Sequence, residues 1–196
     1  MIQRTLTEKL IMLGNKFPIV TLTGPRQSGK STLLRSVLPH YKYVSMEDPD
    51  NQLIALDDPR GFLKTYSDKT IIDEVQRVPD LFSYLQTHVD NENKEGMYYL
   101  AGSQNFLLMQ SISQSLAGRT AILKLLPFSH EELRQAGLVS STSDEEIFYG
   151  GYPRIYDKGI HPSDFYSNYI QTYVEKDLRL LKNIDNLSKF IRFIKL

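Results

Sequence analysis

The sequence predicts an α/β fold: a three-layer core on a mainly parallel five-stranded sheet, followed by a helical subdomain. Two observations predict it. Short β-branched runs alternate with helical patterns up to Pro127, the signature of a parallel sheet covered on both faces. After Pro127 the strand signals fade and only helix-opening patterns recur. The expected division is therefore a core over residues 1–127 and a helical region over 128–196.

The elements follow in order. Thr5-Leu6-Thr7-Glu8 reads as a capping box, with Leu6, Leu10 and Leu13 on one helical face and Gly14 as the stop. Pro18 leads into a first strand, Ile19 to Thr23, marked by its β-branched content. A glycine loop comes next, then a helix through Leu33, Leu34 and Val37 that ends by Pro39. Further strands are expected at Tyr41 to Ser45, Lys69 to Asp73, Met97 to Ala101 and Thr120 to Leu126. Helical patterns occupy Pro79 to Val89 and Gln104 to Leu116. In the second region, Ser129 to Glu132 and Ser143 to Glu146 both have capping-box form, and a longer helix is expected over Ser163 to Leu181. Leu187, Phe190, Ile191 and Ile194 make an apolar face that runs to the last residue, so the expectation is a piece of a longer protein.

Composition excludes several classes. With 196 residues, 41% of them hydrophobic, the chain can bury a substantial core. Lys plus Arg (23) balances Asp plus Glu (23), so no overall basic field points to nucleic acid or an anionic membrane. The absence of cysteine excludes disulfides, thiolate metal sites and a cysteine nucleophile, and it fits a reducing cytoplasm. The longest apolar run, Met97 to Ala101, falls far short of the ~20 residues that span a bilayer. No signal peptide is legible, and a cytoplasmic location without membrane partners is expected. The histidines His40, His88, His130 and His161 are dispersed, without metal-ligand spacing. Lys176, Arg179 and Lys182 share a helical face that could touch DNA, but Glu175, Asp177 and Asp185 among them favour a solvated mixed face.

The chemistry is concentrated in two places. Gly24-Pro25-Arg26-Gln27-Ser28-Gly29-Lys30-Ser31 fits GxxxxGK[ST] without a mismatch, between a strand and a helix as that motif requires. Its glycines let backbone N–H groups turn inward on phosphate oxygens, and the helix aims its positive end at the same point. Lys30 is expected on the β- and γ-phosphates, Ser31 on Mg²⁺ and Thr32 near the α-phosphate. Arg26 lies within the loop, although its side chain reads better as a solvated arginine. Downstream, Thr70 to Asp73 is an apolar strand ending in two acids. Asp73 suits the metal's water shell and Glu74 suits orientation of the attacking water. The acid pairs Asp57-Asp58 and Glu131-Glu132 lack that setting and read as solvated or capping residues.

Together these Walker A and Walker B motifs resemble the core of P-loop NTPases, in particular the AAA+ branch. The resemblance implies a strand inserted between the loop strand and the Asp-Glu strand, with a polar γ-phosphate sensor at its tip. Ser103 is the best match, with Gln104 or Asn105 next; as an alternative, Ser103 is simply a helix N-cap. It also implies an arginine finger at Arg119, which otherwise reads as a surface cation at a helix end. GPRQSGKST, IIDEVQRVP, LAGSQNF, SLAGR, LLPFSHEEL, GGYPR and TYVEKDLR, in this order, are similar to a family of prokaryotic predicted ATPases. Those proteins join an AAA-type domain to a C-terminal domain of unknown function and are about twice this length. The likeness implies that Gly151 and Pro153, in Gly151-Tyr152-Pro153, approach the adenine; an ordinary Gly-Pro turn is the alternative.

The expected activity is Mg²⁺-dependent hydrolysis of ATP to ADP and phosphate. The alternative is a nucleotide-dependent switch or interaction module with little hydrolysis of its own. A P-loop kinase is disfavoured by the paired acids and the lack of an evident lid, and GTP by the lack of an Asn-Lys-x-Asp motif. Expected partners are ATP or ADP, further copies of the chain, and DNA or protein reached through the remaining C-terminal region.

Overall fold

The computed structural model describes residues 2–103, 112 and 114–174. Its chain divides into two compact units, Met1–Leu138 and Val139–Leu196.

In the first unit, β1 (Ile19–Gly24), β2 (Lys42–Ser45), β3 (Thr70–Asp73), β4 (Tyr98–Ser103) and β5 (Thr120–Lys124) form one sheet in the order β2-β3-β4-β1-β5. Every pairing is parallel. The described helices of this unit are α1 (Thr7–Gly14), α2 (Lys30–Val37), α3 (Pro49–Asp57), α4 (Pro59–Thr65), α5 (Leu81–Glu92) and α6 (His130–Gln135). Strands β1, β3 and β4 are buried at every position, as central parallel strands covered on both faces must be. Edge strand β5 instead alternates, with Ala121 and Leu123 buried and Ile122 and Lys124 exposed.

Alternation along the strands divides the core in two. Ile19, Ile72, Tyr98 and Leu100 pack with Phe82, Leu85 and Val89 of α5. Val20, Leu22, Ile71, Tyr99 and Ala101 pack on the opposite face with Leu10 of α1 and Leu33 and Leu34 of α2. Phe82 is completely enclosed, and its truncation to Ala is a change of the kind that costs about 3–5 kcal/mol.

Local expectations fail where a distant partner intervenes. No capping box forms at Thr5: α1 has Leu6 at its N-cap position without a side-chain cap, because both Thr5 N–H (2.8 Å) and its hydroxyl (3.1 Å) donate to Glu132 Oε1. Helices α3 and α4, neither expected from the sequence, open at acids that precede prolines, and Asp58 takes the capping alternative read for it. Asp48 accepts from Asp50 N–H and Asp58 from Gly61 N–H, each with Pro in the first turn. The Ser129–Glu132 capping box does form, and it opens α6 within the first unit.

The second unit contains α7 (Ser143–Tyr149), α8 (Pro153–Lys158) and α9 (Pro162–Tyr169), followed by a π-turn over Ile170–Val174. The cap of α7 is Thr142, one residue before the expected Ser143. Aromatic rings hold the unit together. Tyr152 lies 5.2 Å from Phe165 and 4.9 Å from Tyr169, and the Tyr166 hydroxyl donates to the Tyr149 carbonyl at 3.0 Å. Gln104 and Asn105, most of the helix expected from 104, the cationic face at 176–182 and the apolar face at 187–194 lie outside the described residues.

Candidate nucleotide-binding site

Parallel order brings the chemistry to one edge. Gly24 pairs in register with Ser103, so the start of the glycine loop sits beside the tip of β4. Asp73 ends β3 on the other side of β4, at the same C-terminal edge. In open α/β sheets that edge is where ligands bind.

Within the loop, Gly24 has φ +151°, and a Cβ there would stand 2.1 Å from the Leu125 carbonyl oxygen, so only glycine fits. Gly29 (φ 91°) and Gln27 (φ 60°) are also left-handed, which wraps the backbone before α2 begins. No side chain caps α2, whose first N–H groups are therefore left for an anion. Lys30 is only 5% exposed and donates to the carbonyls of Gly24 (3.2 Å) and Pro25 (2.8 Å). Burial pushes its ammonium below the ordinary lysine range, the charges of Glu74 and Asp73 pull it back up, and Arg26 adds to the lowering. Arg26 is half-buried, and its charge acts on Glu74 as well. Ser28 Oγ and Gln27 Oε1 are buried without hydrogen-bond partners among the described residues, while Ser31 is half-buried and Thr32 exposed.

Asp73 is 5% exposed and has a donor on each oxygen: Glu74 N–H on Oδ1 (3.1 Å) and the Tyr43 hydroxyl on Oδ2 (2.7 Å). Tyr43, on β2, is backed by the Arg35 guanidinium, 4.9 Å from its ring centre. Burial and the bond to Asp73 hold its phenol far above the ordinary range. Glu74 follows in the left-handed region (φ 52°). Burial pushes its carboxyl above the usual carboxylate range; the hydrogen bond from Gln76 works against that shift, the charge of Asp73 adds to it, and the charges of Lys30 and Arg26 oppose it. The Gln76 amide donates to both Glu74 Oε2 and Ser103 Oγ, the latter at 3.2 Å. Among the described residues no cluster of three or more His, Cys, Asp or Glu forms a protein-only metal cage. One hydroxyl (Ser31) and one carboxylate (Asp73) are instead hard oxygen donors of the kind Mg²⁺ uses together with substrate phosphates.

Within the first unit one expected residue lies apart from the others. Arg119 precedes β5 at the N-terminal edge, where its carbonyl accepts from Ile19 N–H at 3.2 Å. Ile19 and Gly24 lie at opposite ends of β1, roughly 17 Å apart at ~3.3 Å per residue. The Arg119 guanidinium grips Asp90 of α5 with two bonds, 2.6 and 2.8 Å. Gly151 and Pro153 belong to the second unit, with Pro153 in the first turn of α8. Sequence reasoning missed Arg4 altogether. Its guanidinium is 7% exposed and donates to the loop carbonyl of Ser28 (3.0 Å), to Leu126 and Pro127 carbonyls and to Glu132 (3.2 Å), with the Phe128 ring 4.7 Å away.

The five-stranded parallel sheet with its glycine loop is the fold of the P-loop ATPases. The chain shares it with the Walker-type ATPase PABY2304 of Pyrococcus abyssi (TM-score 0.60, 15% identity, 93% of this chain and 76% of that one). It also shares it with AMPPCP-bound DnaA of Aquifex aeolicus (TM-score 0.53, 16% identity, 93% and 67%). An AAA domain model matches residues 16–134, and a domain of unknown function (DUF8612) matches residues 140–196. The chain belongs to this AAA domain family. Uncharacterized proteins of Mycobacterium tuberculosis and Mycobacterium bovis are each 35% identical over 172 residues, which is 85% of this chain. The chain spans 37% of the length of those relatives. Among the described residues no helix is long and apolar enough to cross a membrane.

Proposed function

We propose that this domain binds ATP with Mg²⁺ and hydrolyses it to ADP and phosphate in the cytoplasm. The observation that carries the reading is a buried lysine ammonium at the mouth of a glycine loop whose following helix has no side-chain cap. In this reading the backbone from Gly24 to Gly29 cradles the phosphates and Lys30 contacts the β- and γ-oxygens. Ser31 and Asp73 hold the metal, which when bound neutralises charge developing between the phosphates. Glu74 orients the attacking water and Ser103 donates to the terminal phosphate. Gly151 and Pro153 belong to adenine recognition, and residues 1–127 and 128–196 form the core and the helical region.

Two variants test this. Lys30→Ala should abolish most of the Mg·ATP binding heat while the thermal melt stays cooperative; retained affinity would refute the assignment. Glu74→Gln should bind Mg·ATP normally yet release phosphate about 10²–10⁴-fold more slowly, the usual contribution of a positioned base.

The second reading is a nucleotide switch that hydrolyses little by itself. The grip of Asp90 on Arg119, at the sheet edge away from the loop, favours it: a single chain then brings no finger to its own site. Further copies of the chain would supply that cation, and DNA or protein partners would engage the remainder of the longer protein.

A further inference from the structure

Gln76 sits on a short 3₁₀ turn, Val75–Arg77, directly after the paired acids. The turn is firmly seated. Val75 and Val78 are completely buried, Arg77 N–H donates to the Glu74 carbonyl at 3.1 Å, and Val78 N–H donates to Val75 at 3.0 Å. From this base the amide of Gln76 spans two strands, since Glu74 follows β3 and Ser103 ends β4.

The way the amide is used separates two roles. A glutamine kept for stability satisfies both of its ends, because a buried acceptor without a partner is destabilising. Gln76 does the reverse. Both N–H groups go to Glu74 Oε2 and Ser103 Oγ, and the carbonyl Oε1 is buried with no partner among the described residues. A donor on Ser103 Oγ also leaves the serine's own hydrogen to be given elsewhere, and hydrogen bonds in such a chain strengthen one another. On the other arm, Glu74 takes the left-handed backbone that non-glycine residues avoid, a strain typical of positions held for function.

We propose that Gln76 is the positioning residue of this site: its amide fixes Glu74 in the water-orienting pose and ties that pose to Ser103. Ser103, loaded as an acceptor by Gln76, turns its hydroxyl hydrogen to the terminal phosphate of a nucleoside triphosphate. Loss of that phosphate removes Ser103's acceptor and loosens the same amide that holds Glu74. The base is thereby set by the presence of a triphosphate and released with a diphosphate. This rests on the reading of Glu74 and Ser103 given above.

The test compares Gln76→Leu, of similar volume but without the amide, and Gln76→Asn, which keeps the amide but is too short to span both partners. For each, thermal melting, affinity for ADP and for a non-hydrolysable ATP analogue, and single-turnover phosphate release are measured on this chain. Expected for Gln76→Leu is ADP affinity within about twofold, because the loop is untouched; removal of the orphaned carbonyl offsets part of the loss of two hydrogen bonds, and the melt serves to show that the variant folds. The preference for triphosphate over ADP should fall roughly 2–10-fold, the worth of one neutral hydrogen bond. Phosphate release should slow by about 10-fold or more, part of a base's usual 10²–10⁴. Gln76→Asn should reproduce both losses, and it carries the test alone if the leucine variant fails to fold. Triphosphate preference and turnover both within twofold of wild type would overturn the proposal. If the chain has no measurable turnover, the preference alone decides. Failure of the nucleotide reading itself has a different signature: no ATP binding by wild type, or undiminished binding by Lys30→Ala.

Discussion

Replacing Arg4 by Met keeps an apolar stem and removes the guanidinium that lies over Phe128 and joins the N-terminus, the glycine loop and α6. Four acceptors then lose a donor: the carbonyls of Ser28, Leu126 and Pro127, and Glu132 Oε1. Breaking one side of a buried ion pair costs ~3–5 kcal/mol. Glu132 keeps the Thr5 and Ser129 donors, so the lower end applies, about 3 kcal/mol. For a unit of this size each kcal/mol moves the melting temperature by ~2–4 °C, which gives a drop of roughly 6–12 °C. The pH dependence adds a second signature. Burial works to raise the Glu132 carboxyl, but the bonds from Ser129, Thr5 and Arg4 outweigh it and hold the group below the ordinary 4.5. A carboxyl lowered by folding stabilises fully above its ordinary value, and that stabilisation is lost as pH falls through the lowered one. Without Arg4 the folded value rises toward the ordinary one, so Arg4→Met has less of this stabilisation to lose and its acid limb should be shallower, the two curves converging as pH falls. Circular-dichroism melts from pH 7 to pH 3 check both effects. A melting temperature within about 2 °C of wild type, with a superimposable acid limb, would refute the reasoning, given the scale expected for a buried pair.

Tyr43→Phe deletes only the hydroxyl on Asp73 Oδ2, and groups that orient a metal ligand in this way are typically worth 10–100-fold in metal affinity. Titration of fluorescent ATP at stepped Mg²⁺ should therefore need roughly 10-fold more metal, with metal-free binding unchanged; an identical requirement would show that Asp73 is oriented without Tyr43. In assembled chains, Arg119→Ala and Lys30→Ala should each be inactive alone and recover part of the phosphate release when mixed, if Arg119 leaves Asp90 to reach a neighbour's nucleotide. No recovery despite co-assembly would leave the Arg119–Asp90 pair as a surface contact.

What the sequence disclosed and what it concealed divide by range. The loop strand, the glycine loop and the helix after it are contiguous, so their spacing alone exposes them. Asp73 and Glu74 are legible because an apolar run ends in them. The insertion of β4 between β1 and β3 came through family likeness, since no local pattern specifies strand order. Hidden were the pairings that cross the sheet or the chain: Tyr43 with Asp73, Gln76 with Ser103, and Arg119 with Asp90. Arg4 and Glu132 stand 128 positions apart, and that contact also displaced the capping box expected at Thr5. Helices α3 and α4 escaped notice for another reason. Leu53, Ile54 and Leu56 of α3 are exposed while Ala55 is buried, so the hydrophobic period that announces a helix is absent, and only the Asp-Pro starts remain.

Strand order also sets the timetable of synthesis. In the sheet β1 pairs with β4 and β5, and Thr23 meets Leu123 across 100 positions of sequence. A ribosome adding ~5–20 residues per second leaves β1 unpaired for about 4–16 s, until β4 follows it. During that interval Ile19-Val20-Thr21-Leu22-Thr23 is an uncharged, β-prone segment of the type that aggregates. Lys16 and Arg26 flank it, charges of the kind that separate such segments from one another, and the charge of Arg26 in the folded loop also acts on Lys30 and Glu74.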